Sequence, residues 1–341
     1  MTSVLSRLAP AALASLLLLT ACPSKNDTAE TTTDTTGTEE PALPKAPAFN
    51  ADSAYAFTAK QVAFGPRVPN TAAHVKTGDW IIGKFKEAGL TVKEQPFEAM
   101  AFDGKMLKSR NIIAQYMPQA TRRVAIFAHW DTRPFADKDK DKKNAPLDGA
   151  SDGASGVAVA LEMARVLGAQ KDSLAPGVGV DFILFDSEDY GYDGSTQSEK
   201  KNLLGNQESW CLGSQYWAKN VLPVGYKPNY GILLDMVGAK GGKFSREELS
   251  RQKAPDVVAK VWNTASQLGF SDYFLFADGY GITDDHVFTN NAGIRTIDII
   301  DFLPNGEFQP YHHTTQDNMS IIDRRTLKAV GQTLLTVVYG E

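Results

Sequence analysis

Cysteine is scarce in this chain: two residues, Cys22 and Cys211, among 341. That is too few for the disulfide framework that holds many small secreted domains together. A basic excess is also missing. Thirty-five Lys and Arg against 40 Asp and Glu leave a net charge of −5, which offers no basic face to nucleic acid. Internal repeats are absent, and beyond the N-terminus no apolar run reaches the roughly 20 residues that a membrane-spanning helix needs. What remains is an ordinary globular balance, 43% hydrophobic and 22% charged, enough for one large domain.

The N-terminus departs from that balance. "MTSVLSRLAPAALASLLLLTAC" carries one Arg, an apolar core from Ala11 to Leu19, and then small residues. The length suits a secretory signal and is short for a span. "LTAC" (Leu19 to Cys22) resembles the bacterial lipobox, in which the cysteine becomes the lipidated first residue. With Cys22 acylated, Cys211 is alone and reads as a small core residue. From Pro23 to about Asn50 the chain is Thr-, Glu-, Pro- and Ala-rich, the composition of a disordered tether. The expected organisation is a signal over 1–21, a lipidated cysteine and tether over 22–50, and a catalytic domain over 51–341. The expected location is the bacterial cell envelope, with membrane contact through the lipid anchor only. Pro23 after the cysteine favours the outer membrane, or its periplasmic side, in a Gram-negative cell.

Residues 51–341 alternate between two kinds of segment. Asn111–Tyr116, Arg123–Asp131, "VGVDFILFD", Tyr230–Ala239 and Ile294–Phe302 are apolar runs of strand length. "SGVAVALEMARVLG" places Val159, Met163, Val166 and Leu167 at helical spacing. Longer helices are expected at about 246–268 and 324–338. Near-continuous apolar strands between helices predict a single α/β domain, with a mostly parallel central sheet covered by helices on both faces.

In "DFILFDSEDYGY" an apolar strand ends in Asp186, Glu188 and Asp189. Crowded carboxylates at the mouth of a buried strand repel one another and resist desolvation. The other strands end in His129 with Asp131 and in Asp235, and ligands of open α/β sheets bind beyond the carboxyl ends of the strands. Asp152, Asp284-Asp285-His286 and His312-His313 complete the candidates. Taken singly each has a plainer role: Asp152 as an N-cap, Asp131 and Asp235 as turn formers, His286 as a core histidine. Together they fit hard oxygen and nitrogen ligands for a cation such as zinc, and the lack of Cys ligands suits a catalytic site.

The ordered series "AHWDT", "GASDGASGVAVALEMAR", "FDSEDYG", "LLDMVGA", "DDHVF" and "HHTTQDN" resembles the zinc aminopeptidases of the co-catalytic class. It resembles more closely the animal-type glutaminyl cyclases and their bacterial relatives, across about residues 55–340. The resemblance implies a zinc-aminopeptidase-like fold and one zinc ion on Asp152, Asp189 and His313. It implies Glu188 as general acid and base, with Asp235 and Asp284 assisting. Trp210, Phe308, Arg133 and Phe135 are then pocket walls, and the substrates are peptides or proteins with N-terminal glutamine. Three departures stand out. Asp189 replaces a Glu, His312 replaces an aromatic residue, and a polar insertion fills Tyr192–Ser209. Two rivals follow. A two-zinc aminopeptidase would use His129 and Asp235 for a second ion, bridged by Asp152. A binding scaffold without activity would be expected to have lost a ligand or the base, yet Asp152, Asp189, His313 and Glu188 are all present.

Overall fold

The structure, a computed structural model, describes residues 42–170, 174–194 and 207–341. The signal (1–21), Cys22, the tether to residue 41 and the middle of the polar insertion (195–206) lie outside the described residues. Helix α1 (Ala51–Ala63) begins where Asn50 accepts hydrogen bonds from the amides of Asp52 and Ser53. α2 (Ala72–Glu87) begins at a Thr71 cap. Strands β1 (Thr91–Met100) and β2 (Met106–Tyr116) form a hairpin. There follow β3 (Arg122–His129), α3 (Ala154–Ala169), β4 (Val178–Phe185), α4 (Leu212–Lys219) and β5 (Tyr230–Asp235). The chain continues through β6 (Phe244–Arg246), α5 (Glu248–Lys253), α6 (Pro255–Gln267), β7 (Phe274–Asp278), α7 (Asp285–Asn291), β8 (Thr296–Ile300) and α8 (Arg324–Tyr339).

The central sheet runs β1-β2-β4-β3-β5-β8, with β6 and β7 paired separately. β4, β3, β5 and β8 are mutually parallel, whereas β2 runs antiparallel to both β1 and β4. Side chains alternate strictly between the two faces. Ile112, Val124, Ile126, Phe182, Leu184, Ile232 and Leu234 enter the core shared with α1, α3, α6 and α8. Ile113, Ala125, Phe127, Ile183, Phe185 and Leu233 enter the opposite core around Trp217 of α4. Two covered faces are why these strands read as unbroken apolar runs and not as alternation.

Three expectations need correction. The helix expected at 246–268 is two helices, because Pro255 has no amide to donate and forces Ala254 out of helical geometry (φ −144°, ψ 58°). The strand expected to reach Ala239 stops at Asp235, where Met236 turns the backbone to φ +49°. The tether also ends before residue 50. Phe49 is 3% exposed in the main core, its amide donates to Gln332 Oε1 at 2.9 Å, and Gln332 Nε2 donates to the Pro47 carbonyl.

Candidate active site

Four parallel strands bring their carboxyl ends to one edge of the sheet. β3 ends at His129, β4 leads into 186–189, β5 ends at Asp235, and β8 ends at Ile300 beside them. Asp152 precedes α3, Asp284 caps α7, and His312 and His313 come from the loop before α8. A cavity of about 400 Å³ opens at this edge, lined by Asp152, Glu188, Asp189, Asp235, Asp284 and His313 among others. Of the six non-glycine residues with positive φ among the described residues, four flank it: Ser187, Cys211, Met236 and His313. Each costs about 1–3 kcal/mol, a cost that folds retain where a side chain must be aimed. Gly153 (φ +89°) turns the chain into α3 where a Cβ would press on the Asp131 carbonyl at 2.7 Å.

Two carboxylates hold the backbone of the site. Asp131 accepts from the amides of Glu188 (3.0 Å) and Asp189 (3.2 Å). Asp317 accepts from those of Ser151 (2.7 Å) and Asp152 (3.0 Å). The imidazole of His313 then faces both acids, Nε2 standing 3.3 Å from Asp189 Oδ1 and 3.8 Å from Asp152 Oδ2. The other oxygen of Asp152 meets His129 Nε2 at 3.0 Å, and that nitrogen is also 3.2 Å from Asp235 Oδ1. Asp152 therefore sits between two histidines, one on each oxygen.

The polar atoms here fit a cation. Asp189 is 1% exposed, and neither of its carboxylate oxygens has a hydrogen-bond partner. Burial, with the charge of Asp152, pushes its pKa well above the ordinary carboxylate value. Burial and the cationic neighbours of His313 push that imidazole well below its ordinary value, so it is a neutral donor of a lone pair. A buried carboxylate with no regular hydrogen bond and a neutral imidazole facing it are the components of a metal site.

Glu188 is half-buried and lines the cavity. The Cys211 thiol donates to its Oε1 at 3.2 Å, and an oxygen of Glu188 lies within 4.8 Å of one from Asp284. Burial raises its pKa well above the ordinary Glu value; the charge of His129 opposes the shift, and Asp284 and Asp189 add to it. Burial also lifts Asp235, to about 7, against its pairing with His129. Its neighbour Asp284 is raised by burial too.

The aromatic walls are built on stacked rings. Trp210 stacks on His313 (centroids 5.8 Å apart, 9° between planes) and donates from Nε1 to the Tyr192 carbonyl. The ring of Trp210 lies where a Cβ on residue 191 would be, so only glycine fits there. Phe308, His312 and His313 form a continuous stack with centroids 3.9 and 3.7 Å apart. Burial, reinforced by the charge of Lys138, pushes His312 down to about 3. The neutral ring accepts from Lys138 Nζ at 2.7 Å.

The remaining expected site residues take other positions. Arg133 is fully buried behind the wall and not on it. It pairs with Asp137, donates to the carbonyls of Asp189 and Gly191, and stands under the Trp210 ring at 4.7 Å. Phe135 does not line the cavity; it packs edge-on against Phe102 and Tyr190 in a separate apolar cluster. Asp186 leaves the crowded trio altogether. The positive φ of Ser187 turns it toward His74, which lies 2.9 Å away and stacks on Trp130. His286 is buried below the cavity. Sequence reasoning missed the organising roles of Asp131 and Asp317 and the apolar lining residues Ile282 and Ile300.

Residues 111–338 match peptidase family M28. The chain belongs to peptidase family M28. Among solved structures it is similar to a Bacteroides thetaiotaomicron glutaminyl cyclase bound to N-acetylhistamine. Identity there is 48%, over 87% of this chain and all of that one, with a TM-score of 0.82. It is similar also to a Zn-dependent exopeptidase from Parabacteroides distasonis, at 48% identity over 87% of this chain and all of that one, with a TM-score of 0.81. Aminopeptidase YwaD of Bacillus subtilis is 28% identical over 286 residues, 80% of this chain. The M28 chain spans only 54% of that aminopeptidase's length.

Proposed function

We propose that this protein is a zinc-dependent glutaminyl cyclase, which converts the N-terminal glutamine of peptides and proteins into pyroglutamate and releases ammonia. The observation that carries this reading is the pairing of one accessible acid, Glu188, with Asp152 and Asp189, both of which face His313 Nε2, in a cavity walled by Trp210 and Phe308. The similarity to a glutaminyl cyclase over the whole of that chain supports it.

Asp152, Asp189 and His313 would hold one zinc ion, which when bound polarises the γ-carbonyl group and offsets charge developing on its oxygen. The attacking α-amine and the γ-carboxamide belong to one residue, so the pocket has only to hold a near-attack geometry. Glu188 accepts a proton from the amine as the C–N bond of the ring forms, and returns it to the amide nitrogen as that bond breaks. One proton makes the circuit, and ammonia leaves. Asp235 and Asp284 face the departing nitrogen as hydrogen-bond acceptors. Trp210 and Phe308 keep bulk water from competing with the amine.

A two-zinc aminopeptidase is the second reading, and one observation favours it: ligand atoms of His129, Asp152 and Asp235 lie within 4.8 Å of one another. Incubation with a Gln-initiated peptide separates the two. The cyclase reading predicts a product lighter by one ammonia, and loss of the first residue would contradict it.

We propose further that Cys22, in the lipobox-like Leu19–Cys22 after a signal-like apolar run, would carry a lipid that anchors the enzyme to the cell envelope, with the outer membrane favoured in a Gram-negative cell. Among the described residues no helix is long and apolar enough to cross a membrane.

A further inference from the structure

Among the described residues that line the cavity are six acids and a single lysine, Lys138, which the proposed chemistry does not use. The loop between β3 and α3 carries it, and that loop is tied to the segment holding His313. The Lys138 amide donates to the His313 carbonyl at 3.2 Å. One residue on, Asp139 Oδ2 accepts from the Thr315 amide (3.0 Å) and hydroxyl (2.6 Å).

The side chain is held as well as the backbone. Lys138 is exposed, and an exposed lysine gives up rotamer freedom when its end is fixed. Here the ammonium donates to His312 Nδ1 at 2.7 Å and stands over the Phe308 ring, 5.0 Å from its centroid. That is its one hydrogen bond among the described residues, and an ammonium has three N–H donors to offer. The acids that act on it most strongly are Asp137 and Asp193. Asp137 is already paired with Arg133, which leaves Asp193 as the opposing charge on the wall.

The proposed reaction sets what reaches this cation. The substrate glutamine fills the end of the cavity beside Asp189 and His313, and the rest of the peptide leaves through the mouth. Only the His312 ring, stacked 3.7 Å from that of His313, separates the Lys138 ammonium from the glutamine end. Each residue of extended chain spans about 3.3–3.6 Å, so the residue after the glutamine comes beside Lys138. We propose that Lys138 is a specificity-determining residue, which pairs with a side-chain carboxylate on the second residue of the substrate. Peptides beginning Gln-Glu or Gln-Asp are then favoured.

This selectivity rests on the cyclase reading, and ratios of rates separate it from protein yield and zinc loading. Gln-Glu-Ala amide and Gln-Gln-Ala amide differ by one charge at the second residue and carry no other carboxylate. The zinc-loaded wild type should turn over the first with kcat/KM about three- to fivefold higher, the range of one exposed ion pair. Gln-Lys-Ala amide should fall below both. Lys138→Met, which keeps the stem against Phe308, should bring the ratio of acidic to neutral peptide to about one, and Lys138→Glu should invert it. At about 1 M salt, where screening acts within about 3 Å, the wild-type ratio should also approach one. A wall that only shapes the pocket would not respond to salt. Equal rates on acidic and neutral peptides would overturn the proposal, as would a preference for Gln-Lys-Ala amide, in which Asp193 dominates. Gln-Ala as acid and as amide covers the other carboxylate within reach: a preference for that acid, with none for Gln-Glu-Ala amide, would assign Lys138 to the peptide terminus and overturn the assignment to the second residue. A wild type that cyclises none of these peptides sinks the functional reading, and calorimetry then decides this one. Zinc-loaded Glu188→Gln should bind Gln-Glu-Ala amide about three- to fivefold more tightly than Gln-Gln-Ala amide, and equal affinities would overturn it.

Discussion

Glu188→Gln is expected to lower kcat by about a thousandfold, within the usual span for a positioned general base, which is about 4 kcal/mol of transition-state stabilisation. Zinc content, melting temperature and KM should stay close to wild type. The side chain is half-buried and lines the cavity, and its one hydrogen bond, from the Cys211 thiol to Oε1, can also be accepted by the Gln carbonyl oxygen. Gln fills the same space and cannot take up a proton. Asp131 would still hold the backbone amides of 188 and 189, so His313 and Asp189 keep their positions. Burial makes this carboxyl hard to ionise, and that is the property wanted in a group that must both receive and release a proton near neutral pH. Steady-state kinetics on a Gln-initiated peptide, with metal analysis of the same preparation, checks it. A variant within tenfold of wild type would remove Glu188 from the proton circuit.

Asp189→Asn is expected to have the opposite signature: bound zinc is lost, and activity with it. Losing a direct ligand should weaken zinc by more than the 10–100-fold typical of outer partners. The metal-free protein should behave less intuitively. Asp189 is buried, has no hydrogen-bond partner, and is repelled by the charge of Asp152. Replacing it by a neutral amide removes that repulsion, so the metal-free variant should melt no lower than metal-free wild type. The rise in melting temperature that zinc gives wild type by mass action should vanish in the variant. Thermal melts with and without zinc measure both effects. A variant that still shows the full zinc-induced rise would move the ligand role elsewhere.

The alternation of strands and helices, and the edge of the sheet where the site forms, could be read from the chain because β3, β4 and β5 are buried on both faces and their apolar runs end in acids and a histidine. The β1 strand could not. Its sequence "TVKEQPFEAM" is polar, contains Pro96, and lies at an edge with only Gln95 and Phe97 buried. Whether a side chain enters the site depends on local backbone turns that composition does not encode. Asp186 and Glu188 are two residues apart, yet the left-handed Ser187 between them sends one to His74 and the other to the cavity. Arg133 and Phe135 lie close to His129 in sequence, but Arg133 packs behind the wall and Phe135 in a separate apolar cluster. Asp131 and Asp317 act by accepting backbone amides, a role that acidic residues in loops share so widely that nothing in their spacing marks it.

The proposed chemistry needs a single cation held by side chains from three distant segments. Diffraction from crystals of the zinc-loaded protein, measured on both sides of the zinc absorption edge, tests this directly. One anomalous peak per chain is expected, in contact with Asp152, Asp189 and His313. A peak placed instead between His129 and Asp235, or no peak beside Asp189, would contradict it.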